Sequence, residues 1–90
     1  MKIRSLDCFK KAYKKLPANI QKKIAKNLEL LLSNPRHPSL NVKKLVTNYD
    51  PDVWYLRVDI FYRLTFQIDK EEEIYILRNV GRHDETLKNP

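Results

Sequence analysis

The sequence predicts an α+β fold: a helical hairpin packed on one face of a small, mostly antiparallel four-stranded sheet. The early part of the chain has the apolar spacing of helices, whereas the last third alternates as strands do. The length of 90 residues and the 42% of hydrophobic residues fit a single domain spanning residues 1–90. Helices grouped on one side of an antiparallel sheet define the α+β class.

The amino-terminal part is expected to form one strand and two helices. Residues 1–6 alternate weakly, as a short edge strand would, and Asp7 is the expected cap of the first helix. The apolar residues of that helix follow the i, i+3, i+4, i+7 spacing, at Phe9, Ala12, Tyr13 and Leu16. Pro17 stops it and opens a second helix that runs to Ser33. The stripe predicted to be buried on the second helix is Ile20, Ile24, Leu28, Leu31 and Leu32.

A long connector and three strands complete the order β-α-α-β-β-β. The connector, residues 36–52, contains turn formers and cations, and a loop of this length in a small domain is more often functional than idle. Three segments alternate as strands do, at residues 53–58, 61–69 and 73–80. The last is apolar on both faces and is therefore expected at the centre of the sheet. Gly81 is expected to end it, and a polar tail follows.

Charge is distributed unevenly along the chain, whose net charge is +7. Residues 1–48 contain twelve Lys and Arg against two acids, and residues 49–90 contain six against nine. A basic surface indicates a polyanionic partner, although a lysine-rich helix face that meets only water would show the same composition. With one cysteine, no secretory leader and no apolar run long enough to span a bilayer, we expect a cytoplasmic protein without a membrane partner.

The sheet face turned away from the helices is the first candidate binding surface. Arg57 and Arg63 are predicted to lie there together with Tyr55 and Phe61. Guanidinium groups pair with phosphates, and aromatic rings stack on unpaired bases, so the face suits RNA. These side chains would equally fit ordinary outward positions of a half-covered sheet, and both interpretations stay open.

The segment after the last strand gives a second candidate. His83 can exchange a proton near neutral pH, and Asp84 can orient its ring. RNA is cut without a metal when the ribose 2′-hydroxyl attacks the adjacent phosphate, provided that groups transfer the protons and cations offset the developing charge. An exposed histidine in a polar tail can also be inert. The spacing of the two histidines and one cysteine predicts no metal site, and the single glycine excludes a phosphate-binding loop.

These features together resemble a known family. The connector HPSLNVKKL, the strand pair WYLRVDIFYRLTFQID and the ending IYILRNVGRHDETL, in the order β-α-α-β-β-β, are similar to the RelE/ParE superfamily of toxins over essentially the whole chain. The resemblance implies the toxin of a type II toxin–antitoxin system. The RelE-like branch cuts mRNA in the ribosomal A site, and the ParE branch inhibits DNA gyrase.

The resemblance also implies roles for individual positions. Arg63 matches the strand arginine that contacts the scissile phosphate, and Arg57 matches a basic position one strand earlier. His83 falls where several RelE-like nucleases place a general acid or base. The residues expected to bind RNA are Lys43, Lys44, Arg82 and Tyr55.

The expected function is therefore that of a ribosome-dependent mRNA endoribonuclease without a cofactor. Its expected partners are a cognate antitoxin, the ribosome with mRNA, and operator DNA reached through the antitoxin complex. Two alternatives remain: a gyrase inhibitor that does not cut RNA, and a catalytically weak relative that mainly binds antitoxin. Leu87 stands where many active members carry a stacking aromatic residue, and Tyr55 replaces a lysine of the best-known members.

Overall fold

The computed structural model describes residues 1–90 and confirms the α+β class. The elements in chain order are β1 (Lys2–Ser5), α1 (Asp7–Lys14), α2 (Ala18–Ser33), a 3₁₀ turn (Pro38–Leu40), β2 (Lys43–Lys44), β3 (Val53–Arg57), β4 (Tyr62–Asp69), β5 (Ile74–Arg82) and α3 (His83–Lys88). None of the helices combines the length and apolar character that crossing a bilayer requires.

One sheet contains all the strands, in the order β1-β5-β4-β3-β2. β1 runs parallel to β5, and every other neighbouring pair is antiparallel. β5 lies inside the sheet between β1 and β4, and β1 lies at an edge, as predicted, while the middle strand of the five is β4. The sheet has five strands rather than the expected four, because Lys43 and Lys44 pair with Tyr55 and Trp54 of β3. Two residues are too few to show an alternating pattern in sequence.

The first helix begins differently from the prediction. Asp7 is its first residue rather than its cap, because Leu6 is extended, occupies the cap position and forms no side-chain cap bond. A carboxylate in the first turn still favours the positive end of the helix dipole.

The core lies between the helices and one face of the sheet. Its buried members are Phe9, Ile20, Ile24, Leu31, Leu40, Leu56, Leu64, Phe66, Tyr75, Leu77 and Val80. Fully burying a Val, Leu, Ile or Phe side chain contributes roughly 1.5–3 kcal/mol to stability. Because the helices bury this apolar face of the sheet, only the opposite face remains available to a partner. Leu32 was expected in the buried stripe but is exposed. It follows Leu31 by one position, about 100° around the helix, and points away from the sheet.

The residues after β5 form a helix rather than a polar tail, and Gly81 does not end the strand, which continues through Arg82. A Cβ added at Gly81 would lie 2.9 Å from Oγ1 of Thr86, which is buried. The absence of a side chain at Gly81 therefore allows α3 to pack directly against β5. This contact fixes the direction in which His83 leaves the strand.

A bulge interrupts the pairing of β4 with β5. Thr65 lies opposite Asn79 and Phe66 lies opposite Leu77, so Arg78 is the additional residue. An extra residue shifts the alternation of side chains, which is why a regular strand pattern could not place Arg78.

The sheet face away from α1 and α2 is only partly open. Arg78 Nη1 donates to Oε1 of Gln67 at 2.8 Å, and its Nε donates to the main-chain oxygen of Pro90 at 3.1 Å. Oγ1 of Thr65 donates to the same oxygen at 3.0 Å. Thr65 and Gln67 are buried as a result, so the open part of the face lies toward Arg57 and away from this cover.

Candidate functional site

A shallow pocket of about 360 Å³ lies where the β3–β4 turn meets the start of α3. Its lining residues are Ile60, Phe61, Arg63, Arg82, His83 and Asp84. Two guanidinium groups, an imidazole and an exposed aromatic ring thus meet at one end of the sheet. The structure places the predicted residues Arg63, Arg82 and His83 around this single opening.

His83 is held through its main chain and its ring. Its N–H donates to the carbonyl oxygen of Phe61 at 2.7 Å, which ties the start of α3 to the β3–β4 turn. Nδ1 of the ring lies 3.0 Å from Oδ1 of Asp84. The hydrogen bond with His83, followed by the charge of that ring, holds the pKa of Asp84 below its usual value. When Nδ1 donates to this carboxylate, Nε2 of the neutral ring is an acceptor.

Asp59 organises the turn beside the pocket. Its Oδ1 accepts hydrogen bonds from the N–H groups of Phe61 at 2.8 Å and Tyr62 at 2.9 Å, and its Oδ2 lies 3.5 Å from Nζ of Lys23 on α2. Burial alone would raise the pKa of Asp59, but these two main-chain hydrogen bonds, together with Lys23, outweigh burial and lower it. The carbonyl oxygen of Asp59 accepts a hydrogen bond from Nη1 of Arg63 at 2.6 Å.

Asp59 falls between the predicted strands at residues 53–58 and 61–69, and sequence reasoning gave it no part in the site. The available signal was its place just after a strand, since aspartate commonly accepts from main-chain N–H groups two residues further along the chain. No local sequence pattern shows that Lys23 of α2 forms an ion pair with Asp59.

Arg57 and Arg63 are direct partners across β3 and β4, so their side chains share a face. Arg57 is exposed, and Arg63 is partly buried with Nη1 also bonded to the carbonyl oxygen of Tyr62 at 2.9 Å. Neither arginine forms an ion pair with a carboxylate, and neither belongs to the helix-covered core. Like charges held opposite each other repel, so an anion bound between them would relieve that repulsion.

The two connector lysines point to different faces. Lys43 lies opposite Tyr55, and both share the face of Arg57 because positions two apart on a strand point the same way. Lys44 lies on the other face, with Nζ 3.7 Å from Oδ2 of Asp52. Of the predicted RNA-binding residues, Lys43 and Tyr55 therefore extend the arginine surface and Lys44 does not.

The aromatic ring at this site comes from the β3–β4 turn. Phe61 is 52% exposed and its neighbour Ile60 is 63% exposed. The guanidinium carbon of Arg82 lies 5.4 Å from the centroid of the Phe61 ring, within the range of a cation–π contact. Proteins that bind single-stranded RNA combine exposed rings, on which bases stack, with cations that pair with phosphates. Phe61 thus offers a stacking surface that Leu87 cannot.

Comparison with known families decides the relationship. The family model described as the ParE toxin of type II toxin–antitoxin system, parDE, matches residues 4–87. The chain belongs to this family. As a ParE-family protein it is a type II toxin with the RelE/ParE fold. No curated protein sequence matches it significantly.

Solved structures of toxins share the fold of this ParE-family toxin. YafQ from Escherichia coli strain BL21(DE3) superposes with a TM-score of 0.76 at 15% identity, covering 94% of this chain and 96% of YafQ. The RelE–RelB complex of the archaeon Pyrococcus horikoshii OT3 gives 0.74 at 17% identity, with 90% and 92% covered. The intact E. coli RelBE toxin–antitoxin complex gives 0.69 at 21% identity, with 90% and 94% covered. These identities are low, and the likeness is one of fold.

Proposed function

We propose that this ParE-family toxin is a ribosome-dependent endoribonuclease that cuts mRNA and thereby stops translation in the cytoplasm. The observation that carries the proposal is the shared pocket of Arg63, Arg82 and His83 with the exposed ring of Phe61. Arg57, across the strand from Arg63, adds a second guanidinium on the same face. This set supplies a proton-transfer group, cations for a phosphate and a surface for a base.

The proposed reaction is a transfer within the RNA itself. The 2′-oxygen of a ribose bonds to the adjacent phosphorus and the bond to the 5′ oxygen breaks, leaving a 2′,3′-cyclic phosphate and a 5′-hydroxyl. One proton leaves the 2′-hydroxyl and one is gained by the departing oxygen. Nε2 of His83 serves one of these transfers, with water serving the other, while Arg57 and Arg63 offset the charge that builds on the phosphate.

Dependence on the ribosome follows from the shape of the pocket. A shallow opening cannot by itself hold a flexible strand with the 2′-oxygen, phosphorus and 5′ oxygen in line, and this alignment is a large part of the barrier. We propose that the ribosome presents mRNA already ordered, so that the toxin adds only the charged and proton-transferring groups.

The proposed partners include a cognate antitoxin. The similar structures named as complexes are toxin–antitoxin pairs, RelE with RelB and YafQ with DinJ. A protein that covers the pocket would neutralise the toxin, and the resulting complex would reach operator DNA. The basic surface described above suits an acidic or amphipathic polypeptide.

Expression in a bacterial host tests the proposal. Wild-type toxin should arrest growth and leave new mRNA ends inside ribosome-bound messages, whereas His83→Ala should lose both effects. His37→Ala is the matched control, because His37 is also exposed but its ring hydrogen-bonds only with Ser39 in the connector. Undiminished arrest by His83→Ala would remove His83 from the mechanism.

Gyrase inhibition is the second candidate, and the match to the ParE family model favours it. A supercoiling assay with purified gyrase separates the two functions, since a nuclease leaves supercoiling unchanged. Expression without any growth effect would instead indicate a weak relative whose main role is antitoxin binding.

A further inference from the structure

A second basic groove, of about 510 Å³, shares Arg82 with the His83 pocket. It runs between α1, the end of β5 and α3. The charged side chains that line it are Lys11, Lys15, Arg82 and Glu85. Three cations therefore face one carboxylate, and none of them is paired with an acid elsewhere.

The two lysines are placed by the helix. Lys15 directly follows the last residue of α1 and keeps helical backbone angles, so Lys11 and Lys15, four positions apart, project from the same flank. Lys10 and Lys14 have the same spacing but line a different, mainly apolar groove on the opposite flank. Both pairs are at the surface. The helix thus separates four neighbouring lysines into two pairs with different surroundings.

Arg82 connects the two openings. It is the last residue of β5 and lines both the His83 pocket and the groove. The groove follows β5 from Asn79 to Arg82, a span of about 10 Å at the usual rise of a strand. A chain that leaves the pocket past Arg82 would therefore meet Lys11 and Lys15 next.

We propose that this groove binds the ribose-phosphate chain of RNA beside the nucleotide held in the His83 pocket, with Lys11 and Lys15 contacting successive phosphates. The inference rests on the proposed function, which supplies RNA as the class of ligand. The path of the RNA chain rests on the shared Arg82 and on the excess of cations in the groove. It makes Lys11 and Lys15 binding residues and gives them no part in the bond-breaking step.

Salt-dependent binding of an uncleavable 2′-O-methyl oligoribonucleotide tests this path. Each phosphate contact to a single strand contributes about 0.7 to the slope of log affinity against log salt, so the double variant Lys11→Gln/Lys15→Gln should lower the slope by about 1.4. Lys10→Gln/Lys14→Gln is the control, because it removes the same charge from the same helix on the other flank. A dinucleotide, too short to leave the pocket, should bind all three proteins alike.

Three outcomes would overturn the proposal that RNA binds in this groove. Equal loss in both double variants would indicate a general attraction to the lysine-rich helix, and no loss in either would show that RNA does not pass α1. Weakened binding of polyglutamate with unchanged RNA binding would assign the groove to an acidic polypeptide. The proposed function fails separately: if wild-type toxin leaves no new mRNA ends while Lys11→Gln/Lys15→Gln still lowers the slope, the nuclease is wrong and the groove stands.

Discussion

Arg57 and Arg63 face each other directly across β3 and β4, although neither has a carboxylate partner. Cross-strand pairs of opposite charge stabilise a sheet, and like charges at the same spacing destabilise it. Two arginines in this arrangement should therefore destabilise the free protein, and an anion bound between them would relieve the repulsion.

Removing one member of this pair should therefore stabilise the free protein. We expect Arg57→Gln to raise the free energy of unfolding by about 0.2–1 kcal/mol at low ionic strength, and to weaken RNA binding. The gain should shrink as salt screens the charges. Urea unfolding at two salt concentrations measures it, with Lys26→Gln on α2 as a control for net charge. A loss of stability in Arg57→Gln would contradict the repulsion.

Asp59 offers a test that depends on pH. Asp59→Ala leaves two main-chain N–H groups without their acceptor, and we expect it to cost about 1–3 kcal/mol at pH 7. Because folding lowers the pKa of Asp59, the stabilisation that its charge provides is complete above the unfolded pKa of about 3.9. It is lost as the pH falls through the lower folded value.

Asp59→Asn separates the charge from the turn. The amide oxygen can still accept from the N–H groups of Phe61 and Tyr62, so this variant should lose less stability than Asp59→Ala. The difference between Asp59→Asn and wild type should begin to shrink near the unfolded pKa of about 3.9, and it should disappear only when the pH falls below the lowered pKa of Asp59 in the folded protein. A difference that stays constant between pH 7 and the acid range would show that the charge contributes nothing.

Gly81 and Thr86 should be coupled energetically. Gly81→Ala places a methyl group 2.9 Å from Oγ1 of Thr86, so we expect it to displace α3, to cost about 1–3 kcal/mol and to reduce growth arrest through His83. Adding Thr86→Ala should restore part of both losses because it removes the clashing oxygen. A double-mutant cycle on thermal unfolding measures the coupling, with Thr86→Ala alone as control. Strictly additive effects would refute the contact.

The connector lysines should differ in effect although they are neighbours in sequence. Lys43→Gln should weaken RNA binding because Lys43 shares the face of Tyr55 and Arg57. Lys44→Gln should change it little, since Lys44 lies on the other face near Asp52. The two variants are each other's controls in a binding titration. Equal losses would mean that charge alone, and not position, governs RNA binding at this edge.

Sequence reasoning predicted the elements whose pattern repeats over many residues. The apolar stripes of both helices could be predicted because burial of one helix face imposes a period. β5 could be predicted because a strand with neighbours on both sides and apolar residues on both faces appears as a continuous apolar run. Sequence reasoning missed β2, where two lysines show no period, and it missed α3. The short sequence HDETLK is held in place by the fit between Gly81 and Thr86, which is a tertiary contact.

In the site too, some residues could be predicted from the sequence and others depend on tertiary contacts. Arg63 and His83 were found from residue chemistry and from resemblance, and the structure places them around one pocket. The roles of Asp59 and Lys23 could not be predicted, because they depend on a contact between α2 and a turn 36 positions away. Lys44 was expected to bind RNA together with Lys43. Residue type alone does not show that the two lysines of this edge strand point to opposite faces of the sheet.

The pairing of β1 with β5 has a consequence for synthesis. Lys2 of β1 pairs with Ile74, 72 positions later in the chain, so the amino-terminal strand leaves the exit tunnel long before its partner exists. Contacts this distant in sequence slow folding, since a large loop must close before they are gained. The surface that carries Arg63 and His83 therefore forms only after residue 82 has been translated, so the proposed activity cannot arise in a partly made chain.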